Sequence, residues 1–233
     1  MNTLSDKDRM KKEVGERAVT YIQPGTDIGV GTGTTAYWMI LALGKKVKEG
    51  FPIRAVPTSK ATEELARAQG IPLTTLNDVN KLALTIDGAD EVDPALQLIK
   101  GGGGALLQEK MVAAASDRML VIADEEKLVR RLGKFPLPVE VIPFGWKQVQ
   151  RRIQGMGCPQ AVLRLRDGQP YVTDHGHYIL DSHFGEIPDA RALGEALHDI
   201  PGVVEHGLFI GLATAVLVGY ADGTVKEISG HPL

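Results

Sequence analysis

The chain has 233 residues, 43% of them hydrophobic, and 26 Lys and Arg against 29 Asp and Glu give a formal charge of -3 at pH 7. That length and apolar content suffice for a full core, with room for one large domain and a small one. The slight negative charge without any Lys/Arg-rich run argues against nucleic acid as a partner, and the apolar segments are too short to span a bilayer. Cys158 is the single cysteine, which excludes a disulfide within the chain, and the N-terminal MNTLSDKDRMKKEVG lacks the apolar core of a secretion signal. A reducing cytoplasm is therefore the expected compartment.

In chain order, Ser5 and Asp8 resemble a capping box that opens a helix to Ile22, with Met10, Val14, Ala18 and Ile22 as its apolar stripe and Pro24-Gly25 as its stop. A short strand, Asp27 to Val30, runs into Gly29-Val-Gly-Thr-Gly-Thr-Thr35 and a second helix through Ala36, Trp38, Met39 and Leu43. A glycine-rich loop at a helix N-terminus is an anion site. A dinucleotide reading fails, because Thr34 stands where a third glycine belongs and the next strand, Ile53 to Val56, ends in Pro57-Thr58-Ser59 with no acidic residue for a ribose. Hydroxyls at Thr32, Thr34 and Thr35 beside bare amides suit a phosphate monoester better.

Thr58 is expected to cap a helix over Lys60 to Gln69 that stops at Gly70. Strands follow at Leu73 to Leu76 and Leu82 to Ile86. Next comes IDGADEVDPALQLIKGGGGALLQEK, residues 86 to 110, where acid, base, cation and bare backbone gather: Asp87 and Asp90, then Lys100, then Gly101 to Gly104, then Glu109 about one turn into a helix. A carboxylate can abstract a proton, a cation can stabilise the oxyanion that results, and free amides can hold an anionic group. Helical side chains lean toward the N-terminus, so Glu109 can point back at the glycine loop. Asp87, Asp90 and Asp93 could instead clamp Mg²⁺, but Lys100 is an awkward neighbour for a cation, and proton transfer is preferred. Met119 to Ala123 is another buried strand, ending in Asp124-Glu-Glu-Lys127.

After Lys134 the rhythm changes. Phe135-Pro-Leu-Pro138 reads as a linker, followed by strand (Val139 to Ile142), helix (Trp146 to Met156), strand (Ala161 to Leu165), strand (Tyr171 to Leu180), helix (Ala190 to Asp199) and strand (Val203 to Leu208). The expected fold is α/β: a Rossmann-like open, mostly parallel sheet over 1–133 plus 209–233, with a smaller βαββαβ, ferredoxin-like α+β domain over 134–208. In the large domain, Phe209 to Gly219 and a last strand after Ala221-Asp-Gly-Thr complete the sheet. His175-x-His177 on a strand, with His183, suggests a metal pair, but no third ligand is evident and no metal is assigned.

At Gly29-Val-Gly-Thr-Gly-Thr-Thr-Ala36, Asp87-Gly-Ala-Asp-Glu91, Lys100-Gly-Gly-Gly103 with Glu109-Lys110, and Leu132-Gly-Lys-Phe-Pro-Leu-Pro-Val-Glu-Val-Ile-Pro143, the chain resembles ribose-5-phosphate isomerase, type A. Ile200-Pro-Gly-Val-Val204 and Gly207-Leu-Phe209 extend the resemblance to nearly the whole chain. It implies interconversion of D-ribose 5-phosphate and D-ribulose 5-phosphate through an enediolate, with no cofactor, by a homodimer. It implies Glu109 as general base, Asp87 in ring opening and hydroxyl proton transfer, and Lys100 on the oxyanion. Substrate contacts fall on Thr32, Gly33, Thr34 and Thr35, on Asp87, Gly88, Ala89 and Asp90, on Lys100, Gly101, Gly102 and Gly103, and on Lys127. Gly104 stands where the family commonly has alanine, and Glu125-Glu126 would weaken the hold of Lys127 on phosphate. A sugar-phosphate-sensing domain and a CoA transferase are the competing readings, separated from isomerisation by whether ketose forms.

Overall fold

The computed structural model describes residues 5–229. Contacts divide the chain into two compact units, one of Met1–Ala89, Gln108–Leu128 and Gly211–Leu233, the other of Asp90–Leu107 and Val129–Ile210. The division expected from sequence differs mainly in 90–107, which it kept with the large domain.

The first unit is built on a six-stranded sheet with the spatial order Val225–Ser229, Ala213–Gly219, Met119–Asp124, Leu84–Gly88, Thr26–Val30, Ile53–Pro57. Every neighbouring pair is parallel except the antiparallel edge pair of Ala213–Gly219 with Val225–Ser229. Parallel strands are covered on both faces, and accordingly every residue of Met119–Asp124 is buried. Three helices follow from their apolar stripes, two of them with side-chain caps. In α1 (Asp6–Ala18) the Ser5 hydroxyl accepts from the Asp8 amide at 3.1 Å, and Val14 and Ala18 are buried. In α2 (Thr34–Lys48) the buried face is Ala36, Met39, Ile40 and Leu43. In α3 (Lys60–Ala68) the cap is Ser59, which accepts from Thr62 N, and not Thr58. Numbered along the chain, the parallel strands lie in the order 2-1-3-4-5, so the connections reverse direction between Thr26–Val30 and Leu84–Gly88. Their carboxyl ends are where an open sheet binds its ligand.

The second unit holds a four-stranded antiparallel sheet in the order Val203–His206, Leu137–Val141, Tyr178–His183, Gln160–Leu163. Together with helices Trp146–Gly155 and Ala190–His198 it realises the βαββαβ order, around a core that includes Val139, Val141, Val149, Ile153, Leu180 and Leu197. A three-stranded sheet of Leu208–Phe209, Leu98–Ile99 and Glu91–Val92 lies in the same unit.

Local expectations fail where a side-chain pattern outruns the backbone. Leu73 makes only an isolated bridge to Ala55, and Leu76–Asp78 is a 3-10 turn capped by Thr75. The long strand expected over Tyr171 to Leu180 begins at Tyr178, because Thr173 to Gly176 turns, with the Gly176 amide bonded to Thr173 O and Gly176 at φ 82°. His175 and His177 are therefore not a strand pair. The run from Val203 breaks at Gly207, so Leu208–Phe209 pairs with Leu98–Ile99 instead. Phe209 does not continue into the next strand either, which starts at Ala213.

Cys158 is 1% exposed, donates to Gln160 O, and has its thiol pushed up in pKa by burial. Little thiolate is then available to an attacking reagent. Thiol titration at pH 8 should label it slowly in the folded protein and at once in denaturant; immediate labelling when native would contradict its burial.

Candidate active site

In the first unit, Asp87 sits at the carboxyl end of Leu84–Gly88 and is fully buried. Its Oδ1 accepts from Thr32 N at 3.0 Å and from Gly88 N at 2.7 Å. Gly31 makes this approach possible, since a Cβ there would lie 2.5 Å from the Asp87 Cα. A buried carboxylate is tolerated only with such donors. The bond joins the loop after Thr26–Val30 to the end of Leu84–Gly88, across the point where the sheet order reverses.

The Thr32 hydroxyl is drawn into a cluster that sequence reasoning missed. It lies 2.7 Å from Thr58 Oγ1, 2.8 Å from Ser59 Oγ and 3.0 Å from Thr62 Oγ1, and Thr62 Oγ1 donates to Gly31 O. With its amide and hydroxyl engaged inside the protein, Thr32 frames the loop. The available anion-binding groups are then those of Gly33, Thr34 and Thr35 at the start of α2. Gly33 holds φ 113°, the helix start has no side-chain cap bond, and Lys11 Nζ donates to Thr34 Oγ1 at 2.8 Å. A helix N-terminus with bare amides and an ammonium beside it attracts a dianion. The signal for Lys11 was its place one turn from Lys7 on α1, visible only once α1 lies against α2, where a Cβ on Gly15 would come within 2.6 Å of Met39 N.

Glu109 stands in the first turn of α4 (Leu106–Ala114) and is 5% exposed. The start of this helix is tied to the end of Ile53–Pro57 by Gln108, whose Nε2 donates to Pro57 O at 2.9 Å. Asp124, at the carboxyl end of Met119–Asp124, is 2% exposed, and its Oδ1 has no hydrogen-bond partner among the described residues. Lys127 ends the 3-10 turn Glu125–Lys127 and is half-buried. Its acidic neighbours are occupied elsewhere: Glu126 pairs with Lys7 at 2.5 Å, and Glu125 Oε1 accepts from Ala221 N at 3.0 Å. The Lys7 ammonium holds the Glu126 carboxyl below its usual range, and Glu126 in turn raises Lys7. The drain on Lys127 expected from sequence is correspondingly weaker.

In the second unit, Lys100 is 2% exposed, with its ammonium 5.5 Å from the Phe209 ring centroid and its amide bonded to Gly207 O. Burying a lysine is costly, and a cation beside a ring face recovers part of that cost. Asp90 Oδ2 accepts from Gly102 N at 2.7 Å, so the second aspartate of the Asp87-Gly-Ala-Asp90 run braces the glycine loop. Asp93 is a turn residue: its Oδ1 accepts from Ala95 N and Gln97 N, and burial raises its pKa. These amide bonds explain the aspartate spacing without a metal ion. Gly101 and Gly104 take φ of 106° and 86°, which L side chains resist, and a Cβ on Gly104 would meet the Tyr171 ring at 2.5 Å. Glycine at position 104 therefore lets Tyr171 lie on bare backbone.

The histidines fall into other arrangements. His177 Nδ1 lies 2.9 Å from Glu140 Oε1, a carboxylate 1% exposed that also accepts from Thr173 Oγ1. His198, Glu205 and His206 bring possible ligand atoms within 4.8 Å of one another. However, Leu208 N donates to His206 Nδ1, which puts the ring proton of neutral His206 on Nε2, the nitrogen facing Glu205. This is a hydrogen-bonded cluster, and a ligand role would need that bond to break.

Comparison with known proteins adds the rest. The sequence model of the family described as ribose 5-phosphate isomerase A (phosphoriboisomerase A) matches residues 54–223. A Bacillus anthracis protein named ribose-5-phosphate isomerase A is 54% identical over 220 residues, covering 94% of this chain and 99% of that one. One from Nitrobacter hamburgensis is 53% identical over 222 residues, covering 93% and 96%. Among solved structures, ribose 5-phosphate isomerase A of Methanocaldococcus jannaschii superposes with a TM-score of 0.90 at 42% identity, over 97% of this chain and 100% of that one. A D-ribose-5-phosphate isomerase in complex with phospho-erythronic acid gives 0.90 at 39% identity, over 94% and 97%.

Proposed function

We propose, from the premise that the chain belongs to the ribose 5-phosphate isomerase A family, that it interconverts D-ribose 5-phosphate and D-ribulose 5-phosphate through an enediolate. What carries this reading is identity over nearly the full length of the relatives, with the acid, base and cation that the chemistry needs all present and buried in this chain.

The reaction moves one hydrogen between neighbouring carbons, and each step needs one kind of group. Glu109 takes the proton from C2 of the open aldose and returns it to C1. Lys100 stabilises the oxyanion that forms as the carbonyl electrons shift, and in the run Gly101 to Gly103 the Gly103 amide adds a donor, the Gly102 amide being taken by Asp90. Asp87 serves ring opening and the hydroxyl proton, within the segment Asp87 to Asp90. The phosphate takes the start of α2 at Gly33, Thr34 and Thr35, framed by Thr32, with Lys11 and Lys127 as cations. Supporting this assignment, an anion at a helix N-terminus is favoured by oriented amides and by the helix dipole. No cofactor enters these steps. The lone, buried Cys158 supports a reducing cytoplasm, and no described helix is long and apolar enough to cross a membrane. The resemblance also implies a homodimer, a state that sedimentation reads.

Incubation with ribose 5-phosphate in EDTA should produce ketose to equilibrium. Binding without turnover would instead favour a sugar-phosphate-sensing role.

A further inference from the structure

We propose that Arg164 is a positioning residue for the reaction, holding the Gly101 to Gly104 loop in its working conformation. This rests on the proposed role of that loop in binding substrate. Arg164 has all three nitrogen positions of its fork engaged and only 15% of its side chain exposed. Nε and Nη2 donate to the two carboxylate oxygens of Asp181 at 2.9 and 2.5 Å, while Nη1 donates to Gly101 O at 2.9 Å and Gly102 O at 3.1 Å. Asp181 therefore fixes the guanidinium plane, and the guanidinium in turn fixes two successive loop carbonyls.

The consequence follows from the planarity of the peptide. In a trans peptide the C=O of one residue and the N–H of the next point in opposite directions. Pinning the Gly101 and Gly102 carbonyls on Arg164 thus turns the Gly102 and Gly103 N–H groups away from it. The Gly102 N–H meets Asp90 Oδ2. The Gly103 N–H is left facing away from the brace, on an exposed glycine where a Cβ would meet nothing within 4 Å. A tetraglycine run has the largest conformational freedom of any sequence, so donors of this kind are useful only if something outside the run sets its peptide planes. Tyr171 extends the brace: its hydroxyl donates to Gly103 O at 3.4 Å, its ring lies on Gly104, and Arg166 sits 4.4 Å from the ring centroid. The run has one turn bond of its own, Gly104 N to Gly101 O at 3.0 Å, and Arg164 and Tyr171 of the small unit add the contacts that fix its remaining carbonyls.

The test compares wild type with Arg164→Lys and Arg164→Ala. Lysine keeps the charge and most of the length but cannot hold Asp181 and two carbonyls at once. With wild type turning over ribose 5-phosphate, Arg164→Lys should lose about tenfold or more in kcat/KM, a cost in the range of modest misplacement of catalytic groups. The loss should fall in kcat as well as KM, in protein whose circular dichroism is unchanged. Millimolar guanidinium should restore part of the activity of Arg164→Ala, and amide exchange over 101–104 should accelerate in both variants. If Arg164→Ala does not fold, the lysine variant alone decides. Folded Arg164→Lys within twofold of wild type, with unchanged exchange in the loop, would overturn the proposal. An inactive wild type would instead overturn the isomerase reading.

Discussion

Replacing Glu109 by Gln is expected to lower kcat by about 10² to 10⁴-fold, the usual contribution of a positioned general base. KM should change little, because the amide keeps the size and the hydrogen-bonding reach of the acid. The loss should be equal in both directions: a catalyst leaves the equilibrium constant alone, so kcat/KM for aldose and for ketose must fall by the same factor. Folding should survive. The side chain is 5% exposed, and a neutral amide there has a smaller desolvation cost than a carboxylate. The measurement is steady-state turnover from each sugar phosphate, together with exchange of solvent deuterium into the substrate, which reports proton abstraction even when product is not released. A variant that still exchanges deuterium at the wild-type rate would show that another group removes the proton, and Asp124, buried at the end of a neighbouring strand, would be the first to examine.

Much of this was legible in the sequence, for identifiable reasons. The parallel strands read as apolar runs because they are buried on both faces, and the helices of the first unit announce themselves by stripe and stop. Asp87, Lys100 and Glu109 could be singled out because acid, cation and bare glycine backbone gather in one stretch, and all three are buried. What the sequence hid are the contacts between distant segments. Nothing in the spacing of Thr32, Thr58, Ser59 and Thr62 says that their hydroxyls converge; the parallel pairing of Thr26–Val30 with Ile53–Pro57 brings them together. Arg164 was invisible for the same reason, since its partners are 62 and 63 positions away. One failure was of another kind: His175 and His177 look like a strand pair by alternation, but Gly176 takes a positive φ and makes the segment a turn. Asp93, weighed in the sequence as a third carboxylate of a metal clamp and set aside, has an oxygen that caps two amides of its own turn. Local hydrogen bonding of Asp is the competing explanation that residue spacing alone cannot exclude.

Gly31→Ala should damage both stability and activity, and the comparison with Asp87→Asn separates geometry from charge. The added methyl would fall 2.5 Å from the Asp87 Cα, a backbone atom in the middle of the sheet order that no rotamer change can move aside. Forcing extra volume into a packed site costs about 1 to 3 kcal/mol, which for a chain of this size lowers Tm by about 2 to 4 °C per kcal/mol. The strain acts on the neighbouring strand ends at Thr26–Val30 and Leu84–Gly88, and the first bond to go is Thr32 N to Asp87 Oδ1. Releasing that amide frees the loop on which the start of α2 depends, so kcat/KM should fall by about 10²-fold, as misplacement by an ångström can cause. Asp87→Asn keeps an acceptor oxygen for the same two amides while removing the charge, so it should leave Tm near wild type yet lose turnover. If Gly31→Ala is active and Asp87→Asn is not, the carboxylate matters and its bond to the loop does not. If both lose activity and only Gly31→Ala loses Tm, the close approach of the two backbones is what puts the charge to use.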